Sequence, residues 1–368
     1  MWTIDDPWAA ADALRGRSVL VAMSGGVDSS VAALLLQRRG ARIIGLTMKN
    51  FCFSQVGADA RSCCSTTHLL DARGVCDRLG VAHHVVDTSA LFGRAVMDRF
   101  VDEYRHGRTP NPCVDCNQTV RFPRLLEAAR ELGADLVATG HYARLGRDAG
   151  GRYYVRRARA TPKDQSYFLH GVPERCLEKT LFPLGDLEKS AVRALAVEAG
   201  LPVAEKPESQ EICFLPDGDR ASFLDERGAL EPGQVVDPEG RTLGVHAGVG
   251  LFTIGQRRGL GLAAGRPLFV QRIEPASRNV VLGDEEGLLC GGLEADSFWL
   301  RVEARRTDLT VQVRYRHPVT GVAALEVDGD RARLRFARAE RAVAPGQAAV
   351  LYAGDTVVGG GRIVATFP

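Results

Sequence analysis

The sequence predicts an α/β fold: a doubly wound parallel sheet, followed by a small β-rich middle domain and a C-terminal β-barrel. Three observations predict it. From Ser18 to Thr139, short apolar runs alternate with segments whose apolar residues recur at helical spacing, as in βα units on a parallel sheet. From about Asp217 the texture changes to short β-like runs between glycines. The length, 368 residues, suits two or three domains. We place them at 1–216, 217–288 and 289–368.

The first strand is Ser18–Ala22, an uninterrupted apolar run. Met23-Ser24-Gly25-Gly26-Val27-Asp28-Ser29-Ser30 then turns the chain, and the apolar period from Val31 to Arg39 reads as a helix stopped by Gly40. Ala41–Met48 is the next strand. Lys49 to Arg61 shows no period and reads as a surface loop. Ser65 can cap a helix that runs to Leu79, before Gly80. Val81–Asp87 is a strand and Ala90–His106 a helix. Arg108 to Asn117, with two prolines and two asparagines, reads as a loop. A helix to Leu132 and a strand at Asp135–Thr139 follow. Tyr142–Leu145 and Arg152–Arg157 pair as a hairpin around Gly150-Gly151. Glu188–Ala199 is a helix, and Glu208 to Phe214 a loop. The later β runs are Gln234–Val236, Leu251–Ile254, Leu268–Ile273 and Val280–Leu282 in the middle domain. The barrel runs are Ser297–Val302, Thr310–Arg314, Val322–Val327, Arg331–Phe336, Ala348–Tyr352 and Thr356–Ile363.

A net charge of +2 announces no polyanion-binding protein as a whole, so any nucleic-acid contact would have to come from local patches. Met1 to Arg17 has acidic residues and no apolar core run, unlike a signal peptide, and no apolar stretch is long enough to span a membrane. Nine cysteines at irregular spacing without an export signal point to the reducing cytoplasm.

A glycine turn between a buried strand and a helix brings backbone N–H groups and the positive helix end to one point, which suits a polyphosphate. The serines add hydroxyl donors, and Asp28 can hold Mg²⁺. The string Ser-Gly-Gly-Val-Asp-Ser-Ser resembles the PP-loop of the N-type ATP pyrophosphatases and lacks the Gly-Lys-Ser/Thr ending of a Walker loop. That resemblance implies cleavage of ATP between its α- and β-phosphates, with adenylation of a substrate oxygen.

Further motifs appear in order: Met48-Lys49-Asn50, Gly107 to Pro112, Cys116-Asn117, Ala138 to Tyr142, Lys163 to Leu169, Ile212-Cys213-Phe214, Gly255-Gln256-Arg257-Arg258-Gly259-Leu260-Gly261, Arg314-Tyr315-Arg316, Pro345-Gly346-Gln347 and Gly359-Gly360-Gly361. Together they resemble the bacterial tRNA-specific 2-thiouridylase family over nearly the whole chain. The resemblance implies ATP-dependent sulfur transfer to C2 of the wobble uridine in the anticodon stem-loop of tRNA. It implies that Ala22, Met23, Ser24, Gly25, Gly26, Val27, Asp28, Ser29, Met48 and Gly140 bind ATP. Asn111, Pro112 and Cys113 would meet the target base, and His141, Lys163, Asp164, Gln165, Arg314, Tyr315 and Gln347 would contact tRNA. Cys116 matches the nucleophile and Cys213 the persulfide carrier, supplied by an upstream sulfur donor such as a desulfurase relay.

The sequence departs from the family at Cys113, where aspartate is common. Cys113, Cys116 and Cys213 are three thiols that could ligate a 4Fe–4S cluster. Two sulfur routes therefore stay open, a persulfide relay and a cluster-bound sulfide. Two other functions are weighed against thiolation. One is a PP-loop ligase for a small molecule, argininosuccinate- or GMP-synthetase-like, which needs neither cysteine segment. The other is a non-catalytic RNA binder with a relic loop, disfavoured by the intact Ser24–Ser30 string. Cys76, Cys176 and Cys290 read as packing residues. Arg331, Arg333 and Arg335 alternate along one strand and read as a solvated face.

Overall fold

The computed structural model describes residues 13–51, 66–207, 212–215, 218–262, 265–301 and 308–368. Cys52, Cys63 and Cys64, Ser65 and Glu208 to Glu211 lie outside the described residues. The chain divides into two units. One comprises Met1–Val96, Cys113–Gly218 and Asp355–Val357; the other comprises Met97–Pro112, Asp219–Gly354 and Val358–Pro368.

The first unit is built on a parallel sheet. Its strands are β1 (Ser18–Ala22), β2 (Arg42–Lys49), β3 (Ala82–Asp87), β4 (Leu136–Ala138) and, after the hairpin β5 (Ala143–Arg147) and β6 (Tyr153–Arg157), the two-residue β7 (Thr180–Leu181). Their order is β3-β2-β1-β4-β7. Both faces of β1 are covered, which explains its uninterrupted apolar run. Val19 and Val21 pack in one core with Val31, Leu34 and Val192. Leu20 packs in the other with Leu46, Leu125 and Val137.

The strand order reverses between β1 and β4, so β1 ends at a topological switch point, where open α/β sheets bind ligands beyond their carboxyl ends. Helix α1 (Val27–Arg38) begins directly after Gly26, four residues before the apolar period marks it. Asp and Ser are favourable in a first turn, so the polar residues belong to the helix. Helix α2 (Thr66–Leu79) follows β2.

From Ser89 to Arg105 the chain is helical throughout: α3 (Ser89–Phe92), a π-helical segment (Gly93–Asp98) and α4 (Arg99–Arg105). The loop expected to run to Asn117 instead ends at Asn111. Pro112 opens α5 (Pro112–Asp115), a π-helical segment (Cys116–Arg121) follows, then α6 (Phe122–Glu131). Proline favours the first helical position because its missing N–H is unpaired there anyway. Shorter helices α7 (Ser166–Leu169) and α8 (Glu174–Leu177) precede α9 (Lys189–Glu198).

The second unit holds α4, helix α10 (Arg220–Asp225) and two β structures. The four-stranded sheet, in order β10-β11-β8-β9, uses β8 (Gly233–Val236), β9 (Thr242–His246), β10 (Phe269–Glu274) and β11 (Asn279–Gly283). The strand expected at Leu251–Ile254 is instead a 3₁₀ turn, Val249–Leu251. Its apolar residues fill the core beside Val235 and Val280, a role apolarity alone does not distinguish from a strand. The last six strands are β12 (Leu289–Leu300), β13 (Leu309–Gln312), β14 (Thr320–Asp328), β15 (Arg331–Arg341), β16 (Ala348–Ala353) and β17 (Thr356–Phe367). They run in the order β12-β15-β14-β13-β16-β17, and pairing of β17 with β12 closes the barrel. Ala332, Leu334 and Phe336 point inward while Arg331, Arg333 and Arg335 are exposed.

Within this unit, Glu103 is 2% exposed. It accepts hydrogen bonds from Arg108 at 2.6 Å and from Arg362 at 2.8 Å. Arg362 also donates to Asp296 at 2.6 Å. A buried carboxylate needs such partners. No helix among the described residues is long and apolar enough to cross a membrane.

Candidate nucleotide and thiol site

The turn after β1 is set by backbone geometry. Gly25 has φ +70°, and a Cβ there would lie 2.2 Å from the His68 carbonyl oxygen. Gly140, at the end of β4, would place a Cβ 2.7 Å from the Ser29 nitrogen. Only glycine lets the turn after β1 pass against α2 and the end of β4 close on the first turn of α1. The Ser24 N–H donates to Ser29 Oγ at 3.2 Å, and Thr47 donates to the Met23 carbonyl at 2.8 Å. Ser30 is fully buried and its hydroxyl donates to the Gly26 carbonyl at 2.9 Å. Of the serines expected to offer donors, Ser24 and Ser29 line the cavity and Ser30 does not.

That cavity holds about 210 Å³. Ala22, Met23, Ser24, Asp28 and Ser29 form one wall, and Met48, Gly140, His141 and Gln165 are the other expected residues that reach it. Gly25, Gly26 and Val27 shape the turn without lining the space. Thr47, Asn50, Arg121 and Thr139 also line it; sequence reading assigned them no separate role. A signal existed for Arg121, four residues after Asn117 on a helix. Arg121 donates to Asn117 Oδ1 at 2.9 Å and to His141 Nε2 at 3.3 Å.

Because Arg121 only donates, His141 Nε2 accepts, so Nδ1 carries the proton and donates to Thr139 Oγ1 at 2.7 Å. The ring stacks on Phe122 at 5.9 Å and meets the edge of Phe182. One edge of His141 reaches the cavity, yet these side chains desolvate it. Desolvation, with the Arg121 charge second, pushes its pKa down to about 3.

Asp28 Oδ1 accepts hydrogen bonds from Lys189 Nζ at 2.7 Å and Tyr142 Oη at 2.9 Å. Its Oδ2 makes no hydrogen bond among the described residues, so the carboxylate can take a cation on that side. Lys206 bonds the Gly25 carbonyl at 3.0 Å and pairs with Asp71. Neither lysine stood out in the sequence, because each joins the turn from a segment more than 150 residues away.

Cys116 is buried and opens the π-helical segment that ends at Arg121; Cys113 is exposed on α5, and Cys213 is half-buried. None of the three lines the cavity. Phe214, 1% exposed, packs edge-on against Phe92 at 5.8 Å and anchors the Cys213 turn. Among the described residues no three His, Cys, Asp or Glu side chains are grouped to hold a metal ion. Burial pushes the thiols of Cys76 and Cys290 up to about 11, with Asp77 and Glu340 adding to it, which keeps them protonated.

Asp164 is 8% exposed, and its carboxylate accepts from Arg157, from the Ala158 and Ser166 N–H groups and from the Ser166 hydroxyl. Gln165 accepts from the Tyr142 N–H at 2.9 Å, and Lys163 is half-buried beside them. In the second unit, Gln347 is 7% exposed and donates to the Thr109 carbonyl at 2.7 Å, while the Thr109 N–H donates to Pro345. That holds the segment leading to Asn111 and Pro112. Arg314 is exposed on the turn after β13, and Tyr315 lies under Arg316 at 5.3 Å.

A buried strand, a Ser-Gly-Gly turn and a helix meeting a cavity at the switch point define a PP-loop α/β protein with an appended β-barrel. Residues 17–217 match the family model described as tRNA methyl transferase HUP domain, 221–284 the tRNA methyl transferase PRC-barrel domain, and 293–363 the aminomethyltransferase beta-barrel domain. The tRNA-specific 2-thiouridylase MnmA of Geobacter metallireducens is 48% identical, covering 94% of this chain and 96% of that one. Its counterpart in Geotalea uraniireducens is 46% identical, covering 95% of each. The chain belongs to the tRNA-specific 2-thiouridylase family.

Proposed function

We propose that this chain is an ATP-dependent tRNA sulfurtransferase that forms 2-thiouridine at the wobble position. The observation that carries this is the cavity at the switch point. It gathers the Ser24-Gly25-Gly26 turn, Met48, Gly140 and His141 in a chain that shares 48% identity with a 2-thiouridylase. Residues 1–216 act as the ATP pyrophosphatase domain, 217–288 as a β-rich connector and 289–368 as a tRNA-contacting barrel, and the protein works in the cytoplasm.

The turn's backbone N–H groups and the positive end of α1 hold the ATP phosphates. Asp28 would hold Mg²⁺, which neutralises phosphate charge when bound. Lys189 and Arg121 bring positive charge to the pocket, and the neutral His141 orients without donating a proton. The wobble base leaves its stack to react, and Asn111, Pro112 and Cys113 are the residues that the family resemblance assigns to it. Its O2 attacks the α-phosphorus and pyrophosphate leaves. A terminal persulfide sulfur on Cys213 then bonds to C2, and AMP departs with O2. The Cys116 thiolate attacks the Cys213 sulfur, which releases the 2-thiouridine. A Cys116–Cys213 disulfide remains for a cellular thiol to reduce. An upstream donor reloads Cys213.

The test uses purified protein, unmodified tRNA, Mg-ATP and a persulfide donor, with thionucleosides measured by mass spectrometry. The expected result is 2-thiouridine from iron-free protein, abolished in C116S and C213S, with C113S keeping activity within a few-fold. No 2-thiouridine from the wild-type chain overturns the proposal; equal loss in C113S overturns the two-thiol route.

A further inference from the structure

The motif Gly255 to Gly261 in the middle domain takes no part in the chemistry above. It is nevertheless built with care. The Thr253 N–H donates to Gln256 Oε1 at 3.0 Å, and Gln256 Nε2 donates to the Arg258 carbonyl at 3.0 Å. The Gly255 N–H bonds the Val270 carbonyl at 2.8 Å, and Val270 returns the bond to Gln256 at 3.0 Å. Leu260 and Leu262 pack against the core around Val249 and Leu268. The turn is thus held at its start and through its two leucines, while Arg257, Arg258, Gly259 and Gly261 are exposed.

What it presents is positive. Arg257, Arg258 and Arg266 are exposed, and none forms an ion pair or hydrogen bond through its side chain among the described residues. Several other surface arginines of this unit are neutralised: Arg241 by Asp237, Arg272 by Glu274, Arg278 by Glu231, Arg333 by Glu294 and Arg341 by Glu285. Three like charges within ten residues repel one another unless a polyanion takes them up.

The glycines between them point the same way. Gly259, Gly261 and Gly265 all adopt positive φ, between +66° and +69°. A Cβ would meet nothing within 4 Å at Gly261 or Gly265, and at Gly259 only the Gln256 amide at 3.9 Å. The space above this backbone is open, a basin of about 700 Å³ with Arg257 and Arg266 on its wall. Bare backbone beside arginines is suited to phosphate oxygens, which take N–H donors and guanidinium forks together.

We propose that Arg257 to Leu262, together with Gly265 and Arg266, binds the phosphodiester backbone of the substrate RNA and anchors it without reading its sequence. This rests on the tRNA sulfurtransferase reading. The test is binding of unmodified tRNA to the full-length protein across salt concentrations, with ATP affinity measured in parallel. Each phosphate contact contributes about 0.7–0.9 to the slope of log K against log salt. R257A, R258A and R266A should each lower the slope by about that amount. The triple variant should bind tRNA about ten- to a hundred-fold more weakly at fixed salt, with ATP affinity unchanged. R257K and R258K should keep the slope. A triple variant with the wild-type slope overturns this site while the enzyme's thiolation stands. A wild-type protein that binds no tRNA overturns both readings.

Discussion

The molecule has two glycine turns that look alike in sequence and differ in what surrounds them. At Gly25 and Gly140 an added Cβ would sit 2.2 Å and 2.7 Å from backbone atoms. At Gly261 and Gly265 it would meet nothing within 4 Å. The charges differ in the same sense. Around the first turn Lys189 pairs with Asp28 and Lys206 with Asp71. Around the second, Arg257, Arg258 and Arg266 have no acidic partner among the described residues. A pocket whose groups are already oriented pays little reorganisation when charge develops during a reaction. An open turn with unneutralised charge suits a partner that arrives already carrying the opposite charge.

The sharpest way to break this comparison is to add the same methyl group to each turn. G25A forces a Cβ onto the His68 carbonyl and a left-handed backbone onto alanine. ATP affinity should fall by more than about 100-fold, about 2.8 kcal/mol, and the melting temperature should drop. G261A has only the left-handed strain, about 1–2 kcal/mol, with nothing to strike. It should fold and bind ATP as the wild type does. Calorimetric titration with ATP and thermal melts check both; equal damage would dissolve the distinction.

A smaller effect is expected at Lys189, whose side chain is 14% exposed. K189M removes the cation beside Asp28, so pyrophosphate release should slow by about 10- to 100-fold, less than the roughly 100- to 1,000-fold of a lost donor to the reacting oxygen because Lys189 bonds the carboxylate instead. The loss should persist at high salt, because a pair inside a pocket is poorly screened. The salt slope of tRNA binding should not move. A K189M defect that high salt abolishes would place this lysine with the open turn.

How much of this was legible in the sequence depends on where the signal lies. β1, its turn and α1 are adjacent, so an apolar run, two glycines and a helical period announce them together. Met48 lies at the carboxyl end of β2 and Gly140 just beyond β4, so their meeting at one sheet edge is a consequence of parallel topology. Thr47 and Thr139 stayed hidden because threonine in a strand reads as ordinary β-branched filling. Lys189 and Lys206 reach the turn only through tertiary packing. The helix from Pro112 was masked by proline and asparagine, which read as loop, although proline opens helices well. Whether Cys113, Cys116 and Cys213 come together had no sequence signal at all: a shared residue type on two segments says nothing of distance. β7, two residues long, is defined by its neighbour β4 and not by its own pattern.

The smallest predicted effect concerns pH, and it too separates the two turns. The His141 pKa falls from about 6.5 to about 3 in the folded chain through desolvation, with the Arg121 charge second. Between these values the unfolded chain binds a proton at this residue that the folded chain does not. The contribution of neutral His141 to stability is therefore complete above about pH 6.5 and is lost progressively as pH falls toward about 3. Glutamine can still accept from Arg121 but does not titrate, so H141Q should lose less stability over that interval than the wild type. The measurement is the difference between the two melting curves, since His170 is also desolvated and shifts the same way in both proteins. The arginines of the open turn keep their charge throughout, so R258A should run parallel to wild type across the same range. A wild type and H141Q that lose stability in parallel would mean that His141 protonates in the folded pocket as easily as in water, and the enclosed character of the first site would have to be abandoned.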